Sequence, residues 1–120
     1  MAKIGIVGIG DMGSGIARNL LANGFTVHGL DLDAARMQAF TKAGGIAAQN
    51  LAELARDAKA VFVMVMTGAQ AEAVIFGADG LAANMPDGAS IILTATIKPA
   101  EAEAIEKRLA ETSISDRQSG

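Results

Sequence analysis

Apolar residues follow two rhythms along this chain. Short apolar runs of strand length alternate with stretches where apolar residues return at three- and four-residue intervals. Ile4, Ile6 and Val7 predict a strand over Lys3–Val7. Ile16, Ala17, Leu20 and Leu21 then recur at helical spacing, with Arg18 and Asn19 on the other face. They predict a helix from Asp11 to Ala22 that Asn23-Gly24 ends. The same reading gives a strand over Phe25–Leu30 and a helix over Ala34–Lys42 with Asp33 as N-cap. A short strand, Ile46–Ala47, and a helix of one to two turns, Leu51–Arg56 capped by Asn50, come next. Ala60–Met66, AVFVMVM, is the strongest strand, apolar without alternation, as in a strand covered on both faces. A helix over Ala69–Phe76, a helical turn near Leu81, a tight turn at Pro86-Asp87-Gly88, a strand over Ala89–Leu93 and a helix over Ala100–Ala110, opened by Pro99, complete the series.

Strand and helix thus alternate five times. Right-handed crossovers convert that alternation into an α/β fold, a doubly wound parallel sheet of the Rossmann type. The expected strand order is 3-2-1-4-5, with a ligand crevice beyond the carboxyl ends of strands one and four. One domain is expected over residues 1–110. The polar tail 111–120, ETSISDRQSG, lacks a core-facing stripe and is expected to be disordered.

Composition narrows the function. A chain of 120 residues can bury roughly two-thirds of its unfolded surface, enough for one core. With four Phe and no Trp or Tyr it has no stacking platform for single-stranded nucleic acid, and its net charge of −3 is spread without a basic patch. No nucleic-acid or membrane partner is expected, and an oligomer is left open. The absence of cysteine removes disulfides, thiolate metal sites and a Cys nucleophile, and fits a cytoplasmic protein. The N-terminus opens directly into a strand, which argues against a cleaved signal peptide. Asp31 and Asp33 could suggest a metal, but helix capping by Asp33 is simpler and no third ligand is near in sequence. His28 lies mid-strand and is read as structural, and Glu101, Glu103, Glu106 and Glu111 form a solvated helix face.

The chemistry lies between the first strand and the first helix. Gly8-Ile9-Gly10-Asp11-Met12-Gly13 has the spacing G-x-G-x-x-G. Gly8 would allow the tight turn, Gly10 close approach of backbone to a pyrophosphate, and Gly13 close packing of helix on strand. The first N–H groups of the helix, with the positive end of its dipole, would face the phosphates. The motif alone is weak, since a glycine-rich turn needs no ligand. Asp31, at the end of the second strand, adds a carboxylate where an adenosine ribose is held. It would accept bonds from the ribose hydroxyls and repel a 2′-phosphate, so NAD is favoured over NADP. The same fingerprint also serves FAD.

The run VGIGDMGSGIARNL resembles the N-terminal signature of the 3-hydroxyacid dehydrogenase family, the group of 3-hydroxyisobutyrate and 6-phosphogluconate dehydrogenases. Gly8, Gly10, Met12, Gly13, Ala17, Asn19 and Leu20 carry that resemblance. Gly24-Phe25, Asp31, VFVMVMTGAQAEAVIFG and TATIKP extend it, and the wording is nearest to the L-threonate dehydrogenase branch. The resemblance implies hydride transfer between NAD and a small 3-hydroxyacid. It implies that Thr96 contacts the cofactor near its nicotinamide ribose. Met12 and Met66 are read as facing the crevice. The cofactor-binding set is therefore Gly8, Ile9, Gly10, Asp11, Met12, Gly13, Asp31, Leu32, Met66, Thr67 and Thr96. In the family a second, helical domain carries the general acid/base lysine, after a strand reading D-A-P-V-S-G-G. Neither is found in this sequence, so a cofactor half without a catalytic residue is expected, with a stand-alone NAD-binding module as the alternative. The hydroxyacid would bind only with the further domain.

Overall fold

The structure, a computed structural model, describes residues 3–64, 68–93, 99–110 and 115–118. Six strands are joined by helices: β1 (Lys3–Val7), α1 (Asp11–Ala22), β2 (Thr26–Leu30), α2 (Ala34–Lys42), β3 (Ile46–Ala47), α3 (Leu51–Ala55), β4 (Ala58–Val63), α4 (Gly68–Phe76), α5 (Leu81–Asn84), β5 (Ser90–Leu93), α6 (Pro99–Leu109) and β6 (Ser115–Gln118). All neighbouring strands are parallel, in the order β3-β2-β1-β4-β5-β6. The first five take the expected order.

The sixth strand corrects the expectation of a disordered tail. Ser115–Gln118 pairs with β5 in register Ser90↔Ser115 to Leu93↔Gln118. A strand at a sheet edge draws its stability from the backbone ladder, and polar side chains there are tolerated and even protective. Polarity therefore did not exclude a strand. β4 also starts two residues earlier than the apolar run suggests, at Ala58.

Strand alternation sends side chains to two separate cores. Val7, Val61, Val63, Ile91 and Leu93 point to one face and pack under α3, α4, α5 and α6, against Leu54, Ile75, Leu81, Ile105 and Leu109. Ile6, Val27 and the partly buried Phe62 point to the other, with Ile9, Ala17 and Phe40 of the α1–α2 side. This explains why the fourth strand lacks an apolar–polar alternation: successive residues are covered from opposite sides. Asp33 and Asn50 cap their helices as expected, Asp33 accepting from the N–H groups of Ala35 and Arg36 and Asn50 from that of Glu53. Lys3 Nζ donates to the carbonyls of Glu53 and Arg56 at 2.8 and 2.6 Å, closing the end of α3. No helix among the described residues is long and apolar enough to cross a membrane.

His28 lies mid-β2, opposite Gly5 and Ile46 on the neighbouring strands. Its buried Nδ1 has no hydrogen-bond partner among the described residues. Burial, reinforced by the Lys3 ammonium and opposed by Glu53, holds its pKa below the ordinary 6.5. The unfolded chain then takes up the proton first. Stability is full above about pH 6.5 and is lost as pH falls toward the folded value. His28→Val should remove that loss. Urea midpoints at pH 7.5 and 5.5 test this: the parent's should drop and the variant's should hold, and an equal drop in both would assign the acid sensitivity elsewhere.

Candidate functional site

β1 ends at Val7 and the chain turns at Gly8, whose φ is +91°, a left-handed value that glycine alone adopts without strain. The Gly8 N–H donates to the Leu30 carbonyl at 2.9 Å, and a Cβ on Gly8 would collide with the Met64 carbonyl oxygen. Gly13 is confined as well, since a Cβ there would stand 2.6 Å from the Gly8 carbonyl oxygen. Gly10 differs. The nearest atom to a Cβ on Gly10 is the Arg36 guanidinium at 4.0 Å. The chain's own packing demands the first and third glycines. The second faces open space, which is where an approaching phosphate gains from a missing side chain. Gly10 is also the N-cap of α1 and supplies no side-chain cap, so the helix start keeps N–H groups for a ligand.

Asp31 closes the site from the β2 side. Its side chain is only 9% exposed. The Ile9 N–H donates to Oδ2 at 2.6 Å and the Asp33 N–H to Oδ1 at 2.8 Å. The Arg36 guanidinium stands 3.6 Å from Oδ2 and 4.0 Å from Asp33 Oδ2. Burial alone would raise the Asp31 pKa. The two N–H donors and the Arg36 charge outweigh it and hold the carboxyl below its ordinary value. Asp31 is therefore a carboxylate at neutral pH.

A cavity of about 690 Å³ opens beyond the carboxyl ends of β1, β2 and β4. Gly8, Asp31, Leu32 and Arg36 line one side, and Leu51 of α3 and Val74 of α4 line another. That volume is within the usual range for a small-molecule site, and the place is the switch point where strand order reverses. Leu32 is fully exposed at its rim. The mostly apolar walls with charge at one end suit a ligand with a flat apolar group and a polar ribose-phosphate portion. Among the described residues no three His, Asp or Glu side chains gather as a metal ion would need.

The structure thus brings Gly8, Gly10, Gly13, Asp31 and Leu32 together. Ile9 takes part differently from the others, its side chain buried in the core and its N–H committed to Asp31. Asp11 and Met12 begin α1 beside them. Met66, Thr67 and Thr96 lie outside the described residues. Met64 packs against the α1–α2 core and also lines the cavity. Arg36 is the residue that sequence reading missed. The signal available was a basic residue in the first turn of α2, three positions after the N-cap, where a side chain reaches back over the preceding loop.

A family described as the NAD binding domain of 6-phosphogluconate dehydrogenase matches residues 3–116. The chain belongs to that family. It is 44% identical over 112 residues to L-threonate dehydrogenase of Cupriavidus necator, a match covering 93% of this chain and 38% of the relative. It is 31% identical over 113 residues to L-threonate dehydrogenase of Haemophilus influenzae, with the same shares covered. The crystal structure of 3-hydroxyisobutyrate dehydrogenase from Salmonella typhimurium matches with a TM-score of 0.88 at 32% identity, over 97% of this chain and 40% of that one. The chain thus spans about 38% of the length of these curated relatives. As a member of this family it is an NAD-binding domain.

Asp31 should matter to this NAD-binding domain even without cofactor. Each bond from an N–H to a carboxylate contributes about 1.5–3 kcal/mol, and Asp31→Ala leaves the Ile9 and Asp33 N–H groups without their acceptor. Removing the carboxylate also removes the cost of burying it, so the expected loss of stability is less than the sum of the two bonds, about 2–3 kcal/mol, read as a lower urea midpoint at pH 7. Because the folded pKa is depressed, this contribution is present above about pH 4 and disappears as pH falls through the folded value. An unchanged midpoint for Asp31→Ala would remove it from the loop's supports.

Proposed function

We propose that this domain holds NAD for a dehydrogenase acting on a small hydroxyacid, with L-threonate as the first substrate to test. The observation that carries the reading is Gly10, bare and facing open space at the start of α1, with the Asp31 carboxylate beside it. In this reading the pyrophosphate lies over Gly8, Gly10 and the start of α1 at Asp11, Met12 and Gly13. The ribose hydroxyls share the remaining lone pairs of Asp31, and Leu32 covers the adenine side. Ile9 acts through its bond to Asp31. Met66, Thr67 and Thr96 take the nicotinamide half. When bound, NAD supplies the hydride acceptor for oxidation of the alcohol carbon. The protein's share is to hold it in one orientation. Cytoplasmic placement is part of the same proposal, supported by the absence of cysteine.

Arg36 gives the cofactor preference a physical form. Its guanidinium is held between Asp31 and Asp33, so its charge is already answered. A 2′-phosphate would meet the Asp31 carboxylate as well as this neutralised cation, which favours NAD. Asp31→Asn removes the repulsion and releases Arg36. NAD should bind the parent at least tenfold more tightly than NADP, and the variant should narrow that gap, since each charge-assisted bond is worth about 1.5–3 kcal/mol. Calorimetric titration with both cofactors measures it. Gly10→Val should weaken NAD binding by about tenfold or more by filling phosphate space. Equal affinity of the parent for NAD and NADP, or an unchanged NAD affinity in Gly10→Val, would sink this assignment.

A binding module without chemistry is the second reading. Among the described residues the charged groups lining the cavity are Asp31, Asp33 and Arg36, each engaged with another, and none of these three is free to take the hydroxyl proton. General acid–base catalysis contributes about 10²–10⁴-fold, and positioning of the substrate adds more. The purified 120-residue chain should therefore bind NAD and produce no NADH from L-threonate, 3-hydroxyisobutyrate or glycerate. Turnover that Gly10→Val abolishes would show that this chain carries catalysis by itself.

A further inference from the structure

Lys3 stands at the amino end of β1, across the sheet from the cavity at its carboxyl end. Its side chain reaches α3. Nζ donates to the carbonyls of Glu53 and Arg56, where that helix ends. The last carbonyls of a helix have no partner within it and carry the negative end of its dipole, so an ammonium suits them. The position is costly to the lysine. Burial lowers its pKa against the opposing Asp57 and Glu53 carboxylates, and the Arg56 charge adds to the effect.

Other features gather at the same exit from α3. The pairing of β1 with β4 slips by one residue, Lys3 facing Ala58 and Ile4 facing Ala60. Asp57, between α3 and β4, takes a left-handed φ of +62°. Gly5 lacks a side chain, and a Cβ there would stand 2.5 Å from Leu54 Cδ2, so Leu54 sits directly on β1. A helix of five residues cannot hold its own shape in water, so its place is set by what it is tied to. Asn50 ties the amino end through the Glu53 N–H, the buried Leu54 and Ala55 tie the middle, and Lys3 ties the carboxyl end. Leu51, the first residue of α3, lines the cavity.

We propose that Lys3 is a positioning residue for the NAD site: by fixing the carboxyl end of α3 it sets where Leu51 stands in the cavity wall. The inference rests on the NAD site proposed above, and Leu51 lines the same cavity as Asp31 and Leu32. Leu51 offers apolar surface to the adenosine portion that Asp31 holds, while Lys3 itself touches no part of the ligand. With the two carbonyls released, α3 is free to turn about Leu54, and Leu51 at its other end moves.

Calorimetric titration with NAD in a double-mutant cycle reads this coupling. In the 120-residue chain Lys3→Met should weaken NAD binding about tenfold and Leu51→Ala about fivefold. Adding Lys3→Met to Leu51→Ala should change affinity by less than about 1.5-fold, because the side chain that Lys3 positions is already gone. Lys3→Gln keeps an N–H donor on a shorter stem, and it should fold even where Lys3→Met does not. Its loss should be about threefold, and it too should vanish in the Leu51→Ala background. Unchanged NAD affinity in the folded Lys3 variants or in Leu51→Ala, losses that multiply in the double variants, or failure of both Lys3 variants to fold would overturn the positioning role. A parent that does not bind NAD would instead overturn the NAD site on which the inference rests.

Discussion

One carboxylate ties together the parts of this domain that meet at its crevice. Asp31 accepts from the N–H of Ile9, 22 residues earlier, and from the N–H of Asp33, two residues later. The first bond holds the glycine-rich turn against the end of β2. The second shapes the turn that lets Asp33 cap α2. Ile9 is anchored from the other direction as well, by a side chain buried with Ile6, Ala17 and Phe40. A loop pinned at its backbone and at its side chain pays little ordering entropy when a ligand arrives. The carboxylate has about four lone-pair sites, so two N–H donors leave capacity for ribose hydroxyls, shared with the nearby Arg36.

The same pinning separates glycines that look alike in sequence. Gly8 and Gly13 are required by the chain's own backbone, through the Met64 carbonyl and through the Gly8 carbonyl. Those two contacts would exist in a protein that bound nothing. Gly10 is not constrained in that way, and its open face is what the ligand argument uses. Spacing alone could not rank the three, because the Gly8 contact comes from Met64, just past the end of β4, and the Gly13 contact from the fold of the turn back onto Gly8. Arg36 was hidden for the same reason. Its distance to Asp31 depends on where α2 starts and on the direction of a side chain in the helix's first turn.

Element type and order were legible because each local pattern agreed with the fold. Asp33 and Asn50 announced their helices by capping chemistry, and the unbroken apolar run after Ala60 announced a strand with two covered faces. β6 was not legible. Its residues, Ser115 to Gln118, carry no apolar signal, and what holds it is a ladder to β5 that leaves no trace in side-chain pattern. Of the residues read as cofactor-binding, Gly8, Gly10, Gly13, Asp31 and Leu32 could be expected from sequence to meet at one place, and they do. Their division of labour, with Ile9 working through Asp31 and Gly10 left open, needed the three-dimensional contacts.

The described side of the crevice is supported by directed polar bonds, and this bears on what it can recognise. The Asp31 side is built from charge and directed hydrogen bonds, on a cavity otherwise walled by Leu32, Leu51 and Val74. Such a site discriminates by charge, because an anionic group brought against this carboxylate is repelled in a largely buried place. On the functional reading argued above, these directed polar groups serve the cofactor: among the described residues the charged groups that line the cavity, Asp31, Asp33 and Arg36, already answer one another, and the walls around them are mostly apolar.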